Sequence, residues 1–90
     1  MCRNIKTLFN FEPPATSGEV YASSLQFVRK LSGMNKPSKA NEEAFALAVE
    51  RVAAAAQEML NALQTNAPPR DREVEAARAR ERAAIRYGRA

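Results

Sequence analysis

The sequence predicts an all-α domain of three helices, preceded by an extended N-terminal arm. Apolar residues recur at alternating steps of four and three along residues 41–64, which places them on one side of an α-helix. Proline pairs at 13–14 and 68–69 interrupt regular structure on either side. Ninety residues make one domain. We divide it into an arm (1–15), helix 1 (16–33), a long central helix (38–66) and a basic third helix (69–88).

The arm has an alternating pattern with one apolar face. A lone strand here has no evident partner within the chain, so we expect an extended segment that lies over the helices and buries Phe9 and Phe11. The mainly apolar face consists of Ile5, Thr7, Phe9 and Phe11, and it alternates with Asn4, Lys6, Leu8 and Asn10. Leu8 interrupts the polar face.

Helix 1 is predicted over residues 17–32 by signals at both of its ends. Thr16 and Glu19 have the spacing of a capping box, in which each side chain bonds the other residue's backbone N–H. Gly33 is the natural residue to end the helix in a left-handed conformation. The expected apolar face consists of Val20, Phe27 and Leu31, widened by Tyr21, Leu25 and Val28.

The central helix is predicted over residues 41–64, with Ser38 and Asn41 as alternative N-caps. Small or apolar residues lie on more than one of its sides, which is typical of a helix surrounded by neighbours. We therefore expect the other elements to pack against it. Its main apolar row consists of Phe45, Val49, Val52, Ala56, Met59 and Leu63.

The third helix is predicted over residues 71–87, with Asp71 as its N-cap and acidic residues in its first turn. From residue 76 onward it is mostly alanine and arginine. Its only bulky apolar residues are Val74, Ile85 and Tyr87. We expect it to pack weakly.

The composition provides a thin core. Hydrophobic residues make up 46% of the chain, but 18 of them are alanine, and Leu, Ile, Val and Phe together number only 17. A thin core beside a long apolar row predicts self-association, because an assembly buries more apolar surface per chain. We expect a homodimer or a higher oligomer.

Charge and rare residues limit the possible chemistry. A net charge of +4 and a pI near 9.7 are compatible with an acidic partner, a nucleic acid or a solvated surface. The absence of histidine removes the usual general base, and one cysteine allows no intrachain disulfide. We expect no enzymatic activity, no cofactor and no metal. No run is apolar enough for a signal or membrane segment, so we expect a cytoplasmic protein.

Several short sequence motifs resemble those of a known family. They are Met-Cys-Arg-Asn-Ile-Lys at the start, Phe11-Glu12-Pro13-Pro14-Ala15-Thr16, Phe27-Val28-Arg29-Lys30, Lys36-Pro37-Ser38-Lys39-Ala40-Asn41, and Ala67-Pro68-Pro69-Arg70 with Asp71-Arg72-Glu73-Val74-Glu75. Together they resemble a family of small uncharacterised bacterial proteins, domain of unknown function 2277, over almost the whole chain. The resemblance implies a bacterial cytoplasmic protein of one domain, and it brings no catalytic residue.

Cys2 is a candidate reactive thiol. Removal of Met1 would leave an amine and a thiol on one residue, and Arg3 and Lys6 could lower the pKa of that thiol. The chain offers no histidine as a separate base. A buried or merely reducible thiol is the alternative.

A candidate anion site precedes the central helix. Lys36, Ser38 and Lys39 bring two ammonium groups and a hydroxyl to a helix N-terminus, where the helix dipole favours anions. The glycines of a phosphate-binding loop are missing. A capped and solvated helix start is the alternative.

A row of arginines, which we call the basic stripe, runs along the third helix. Its arginines could grip a phosphate backbone, could meet Glu43, Glu50 and Glu58 of the central helix in this chain or a partner, or could be solvated. The stripe consists of Arg78, Arg82, Arg86 and Arg89.

Three functions remain in competition. The first is a non-enzymatic helical protein that self-associates and binds another protein. The second is a nucleic-acid-binding protein, for example a ribbon-helix-helix-like dimer in which paired arms present Asn4, Lys6 and Asn10 to the major groove. Leu8 on the reading face and the third helix argue against this version. The third is a thiol protein that depends on Cys2.

Overall fold

A computed structural model describes residues 5–87 of the chain. In chain order they form strand β1 (Phe11–Glu12), helix α1 (Ser17–Ser32), a 3₁₀ turn (Lys39–Asn41), helix α2 (Glu42–Ala62), strand β2 (Arg70–Asp71) and helix α3 (Arg72–Tyr87). The three predicted helices are present, and the fold is mostly helical. In this part of the chain, no helix combines the length and apolar character needed to cross a bilayer.

Helix α1 begins and ends as its sequence predicts. The Thr16 hydroxyl accepts from the Glu19 N–H at 3.1 Å, and the Glu19 carboxylate accepts from the Thr16 N–H at 2.9 Å. This is the capping box. At the other end Gly33 adopts φ 73°, a left-handed conformation that costs glycine little, and its N–H bonds the Arg29 carbonyl.

The buried stripe of α1 is narrower than the predicted apolar face. It runs through Val20, Ser24 and Val28, and the Ser24 hydroxyl is satisfied by the Val20 carbonyl. Phe27 and Leu31 were expected in this face, but they are 43% and 72% exposed. The reason is that α2 is the main element packed on α1, and one neighbouring helix covers only a narrow stripe.

Helix α2 is preceded by the 3₁₀ turn rather than by a side-chain cap. Ser38 and Asn41 lie at the N-cap positions of the turn and of the helix, but neither side chain bonds a helical N–H. The Asn41 amide instead donates to the Ser38 hydroxyl at 2.8 Å. The helix ends at Ala62, two residues before the predicted end, because Leu63 is extended.

The apolar row of α2 is buried only in part. Val49 is 1% exposed, and Phe45, Val52 and Ala56 are half-buried. Met59 and Leu63 are 54% and 45% exposed. The expectation that all other elements surround this helix is wrong for these residues, because packing on α2 comes mainly from α1.

Helix α3 extends away from the α1–α2 pair. Asp71 is its N-cap, since the carboxylate accepts from the N–H groups of Glu73 and Val74 at 2.8 and 3.0 Å. Every described side chain from residue 76 to residue 85 is exposed. This agrees with the weak packing expected of an Ala/Arg-rich helix. The Cα radius of gyration is 16.1 Å, against about 12 Å for a compact domain of this length.

The all-α label requires one correction. Strands β1 and β2 pair in parallel, with Phe11 opposite Arg70 and Glu12 opposite Asp71. The arm was expected to have no partner strand within the chain, and that expectation is wrong. The two-residue sheet fastens the arm to the segment that leads into α3.

Candidate functional site

Asn10 joins the arm to the segment that contains the second proline pair. Its φ is 63°, in the left-handed region that asparagine tolerates better than most residues. The side-chain amide donates to the carbonyls of Ala67 and Pro68, at 3.4 and 3.1 Å. The Asn10 carbonyl accepts from the Arg70 N–H at 2.8 Å. One residue thus bonds the partner segment through both its backbone and its side chain.

Glu19 and Arg72 form a two-pronged ion pair between α1 and α3. Arg72 Nη1 donates to Glu19 Oε2 at 3.0 Å, and Nη2 donates to Oε1 at 2.7 Å. Arg72 Nε donates to the Pro13 carbonyl at 2.7 Å. The guanidinium therefore ties the first turn of α3 both to α1 and to the arm, in the fork geometry that only arginine provides.

The ion pair lowers the pKa of Glu19 from 4.5 to about 2. The hydrogen bond from Arg72 is the largest cause, followed by the bond from the Thr16 backbone N–H. The same contact raises the pKa of Arg72. The two side chains are 32% and 36% exposed, so water screens much of the attraction. The pair therefore sets the relative position of α1 and α3 at this junction, and its contribution to the free energy of folding is small.

Phe11 lies under two arginines at the same junction. The guanidinium carbons of Arg70 and Arg72 lie 5.9 and 6.0 Å from the centre of its ring, within the range of cation–π attraction. Phe9 and Phe11 are both half-buried, so the full burial expected of these two side chains is met only in part. The Phe11 ring thus lies close to both guanidinium groups.

A basic cleft of about 480 Å³ opens between the arm and α3. Phe11, Glu19 and Glu75 are among the residues that line it. We define the cleft by its four cationic lining residues, which are Lys6, Arg70, Arg72 and Arg82. They come from the arm, the β2 strand, the first turn of α3 and its third turn. The cleft could hold an anion.

An apolar groove of about 380 Å³ also borders the arm. It runs between the arm, α1 and the C-terminal half of α2. Large apolar side chains line it, and four of them are from 37% to 54% exposed. These four are Ile5, Phe27, Met59 and Leu63.

The contacts of the described residues do not test whether the predicted site before α2 binds an anion. Lys36, Ser38 and Lys39 are all exposed, and the Ser38 hydroxyl accepts from Asn41. The first turn of α2 carries Glu42 and Glu43, whose negative charges oppose an anion at this place. The site stays a prediction.

The predicted arginine stripe is only partly described. Arg78 donates to Glu75 of its own helix at 3.5 Å, and Arg82 lines the basic cleft. Arg86 lies within α3, and Arg89 lies outside the described residues. Of the stripe arginines whose side chains are described, Arg78 and Arg82, neither forms an ion pair with Glu43, Glu50 or Glu58 in this chain. Cys2 also lies outside the described residues, so the thiol hypothesis stays a prediction.

The three residues proposed to contact DNA bases, Asn4, Lys6 and Asn10, do not form one described surface. Asn10 is bonded to Ala67 and Pro68, and Lys6 lines the basic cleft. Asn4 lies outside the described residues. In addition, the β1 backbone pairs with β2 of its own chain, where a ribbon dimer would need it to pair with a second copy.

The junction around Arg72 is not predicted by the sequence patterns. The capping box accounts for Glu19 alone, and no pattern indicates a role for Arg72. One signal was present: an arginine at the first position of a helix faces the positive end of the helix dipole, which is unfavourable unless a carboxylate lies nearby. Within residues 5–87, no cluster of three potential His, Cys, Asp or Glu ligands could hold a metal ion.

Comparison with known proteins identifies a family. A family model described as Uncharacterized conserved protein (DUF2277) matches residues 1–78, which confirms the resemblance drawn from the sequence motifs. No curated protein and no solved structure shows significant similarity to the chain.

Proposed function

The chain belongs to the family of uncharacterized conserved proteins DUF2277. We propose that it is a non-enzymatic protein and, from the geometry described above, that it self-associates through the apolar groove. The observation that carries this proposal is the set of large apolar side chains that remain exposed around one groove. Phe27 of α1, Met59 of α2 and Leu63, which directly follows α2, line the same space. Exposed apolar patches of this kind mark interaction sites.

The exposed area favours a second copy of the chain as the occupant. The accessible surface is 7455 Å², whereas a compact monomer of 9.9 kDa exposes about 5,200 Å². The excess, roughly 2,000 Å² per chain, is comparable with the area that each subunit of an obligate homodimer buries. Only three apolar residues, Val20, Val28 and Val49, are buried among the described ones. An assembly would supply the core that the single chain lacks.

Two leucines of α2 and its C-cap provide a matched test. Leu63 lines the groove and Leu47 does not, yet each is 45% exposed. In light scattering, the wild type should show at least twice the 9.9 kDa chain mass at micromolar concentration. Leu63→Glu should shift the protein to monomer, and Leu47→Glu should leave the mass unchanged, with helicity checked by circular dichroism.

A wild type that stays at 9.9 kDa across micromolar concentrations refutes the proposal. Equal effects of Leu63→Glu and Leu47→Glu refute the groove as the interface. If Leu63→Glu loses helicity, Met59→Gln takes its place in the test. It keeps a long unbranched side chain in the groove, and it must still weaken the assembly.

We further propose that the assembled protein binds a second protein through α3. The exposed side chains of Val74 and Ile85 stand 11 residues apart and therefore lie on one side of the helix. Arg78 lies between them, so an acidic partner helix with an apolar stripe is complementary to this side. The support for a bacterial, cytoplasmic and non-enzymatic role comes from the sequence and its resemblance alone.

Site-specific photo-crosslinking in an extract of the native host tests the α3 surface. A photoreactive residue at Ile85 should crosslink to an acidic segment of one partner, and Arg78→Gln should reduce that product. The same residue at Leu31, which is 72% exposed on α1, is the control. Crosslinks of equal yield from both positions would contradict the proposal.

A further inference from the structure

The basic cleft carries an excess of positive charge. Arg72 is neutralised by Glu19, whose two oxygens are both engaged. Glu75 accepts a hydrogen bond from Arg78. Among the described residues, no carboxylate lies within ion-pair distance of Lys6, Arg70 or Arg82. Three cations thus line one cavity, and their mutual repulsion would be relieved by an anion.

The three cations come from separate parts of the chain. Lys6 belongs to the arm, Arg70 to β2, and Arg82 to the middle of α3. Arg70 is held over the Phe11 ring, so its guanidinium is partly oriented before any ligand arrives. Ala76 and Ala79 form a small-residue wall between these charges. Such a site offers charge around its rim and a short apolar surface within.

We propose that this cleft binds a small phosphate-bearing molecule, about the size of a mononucleotide, that bridges Arg82 to Lys6 and Arg70. The volume of about 480 Å³ lies within the range of small-molecule sites. Arginine forks pair with phosphate oxygens through two parallel hydrogen bonds. The ligand fastens α3, whose described side chains beyond residue 75 are all exposed, to the arm. This proposal is independent of self-association.

The convergence of the charges favours a small ligand over a nucleic-acid backbone. Phosphates of a polymer are spaced along a strand and are met by cations spread over a face. Here Lys6, Arg70 and Arg82 line one cavity. Duplex DNA is therefore the contrasting ligand in the test.

The test is an amide NMR titration of the full chain with pyrophosphate and with adenosine monophosphate. Both probes should produce saturable shifts in residues 6–8, 70–72 and 76–82. Arg82→Gln should weaken binding by about tenfold or more, as expected for the loss of a charge-assisted hydrogen bond. The matched control is Arg80→Gln, since Arg80 lies on the same helix and does not line the cleft.

The control should bind within about twofold of the wild type, because only the screened background charge changes. Equal weakening by Arg80→Gln and Arg82→Gln would overturn the proposal, since it would show attraction to diffuse charge. Shifts that do not saturate would also overturn it. Tight binding of duplex DNA, weakened alike by both variants, would assign the surface to a nucleic acid.

Discussion

Replacing Val49 by alanine tests whether the α1–α2 interface is the main source of stability. Val49 is 1% exposed, the most buried large side chain among the described residues. The substitution removes two methyl-sized groups, and at about 0.8 kcal/mol each this gives about 1.6 kcal/mol of lost transfer free energy. A partly unrelaxed cavity adds up to roughly 1 kcal/mol. We expect the free energy of unfolding to fall by about 2–3 kcal/mol.

The assay is urea denaturation followed by circular dichroism at a fixed protein concentration, because assembly would make apparent stability depend on concentration. In thermal melts the same loss should lower the midpoint by roughly 10 °C or more. Leu31→Ala is the control, since Leu31 is 72% exposed and its loss should stay within about 0.5 kcal/mol. A loss below about 1 kcal/mol for Val49→Ala, or one equal to the control, would refute the assignment of the core.

Three further predictions concern the ends and junctions of the helices. Because the folded state lowers the pKa of Glu19 from 4.5 to about 2, its contribution to stability is complete above about pH 4.5 and disappears as the pH falls toward 2. The difference in melting temperature between wild type and Glu19→Gln should therefore shrink across that window, and a constant difference would contradict the ion pair. Asp71→Ala should cost about 0.5–2 kcal/mol of helix stability and accelerate hydrogen exchange in α3 while leaving α1 unchanged; uniform acceleration would argue against a local cap. Gly33→Ala should cost about 1–2 kcal/mol in urea denaturation, because φ 73° strains a side chain even where no atom lies within 4 Å of the new Cβ, and Gly33→Asn should cost less.

The sequence by itself determined the local structure of the helices. The capping box of Thr16 and Glu19, the end of α1 at Gly33 and the cap of α3 at Asp71 all appear as predicted. Each depends on residues within four positions of one another, so the chain needs no distant partner to form it. The weak packing of α3 was also readable, because an Ala/Arg-rich helix has little apolar area to bury.

The side-chain caps before α2 were the local exception. Ser38 and Asn41 lie at cap positions, but the Asn41 amide donates to the Ser38 hydroxyl, and the helix begins through a 3₁₀ turn instead. Asparagine and serine side chains commonly compete with the backbone in this way. Position in the sequence indicated where the helix begins and not which bonds begin it.

Only the tertiary structure decided which face of each helix is covered and where the candidate sites lie. The periodicity of α2 gave six apolar positions, but one neighbouring helix buries Val49 and leaves Met59 and Leu63 exposed beside the groove. The ion pair of Glu19 with Arg72 joins residues 53 positions apart in the sequence, and the residues paired between β1 and β2 have a similar sequence separation. Contacts of this separation depend on how the helices are arranged in space, which local propensity does not encode. The basic cleft exists because that arrangement brings the arm, β2 and α3 together around one cavity.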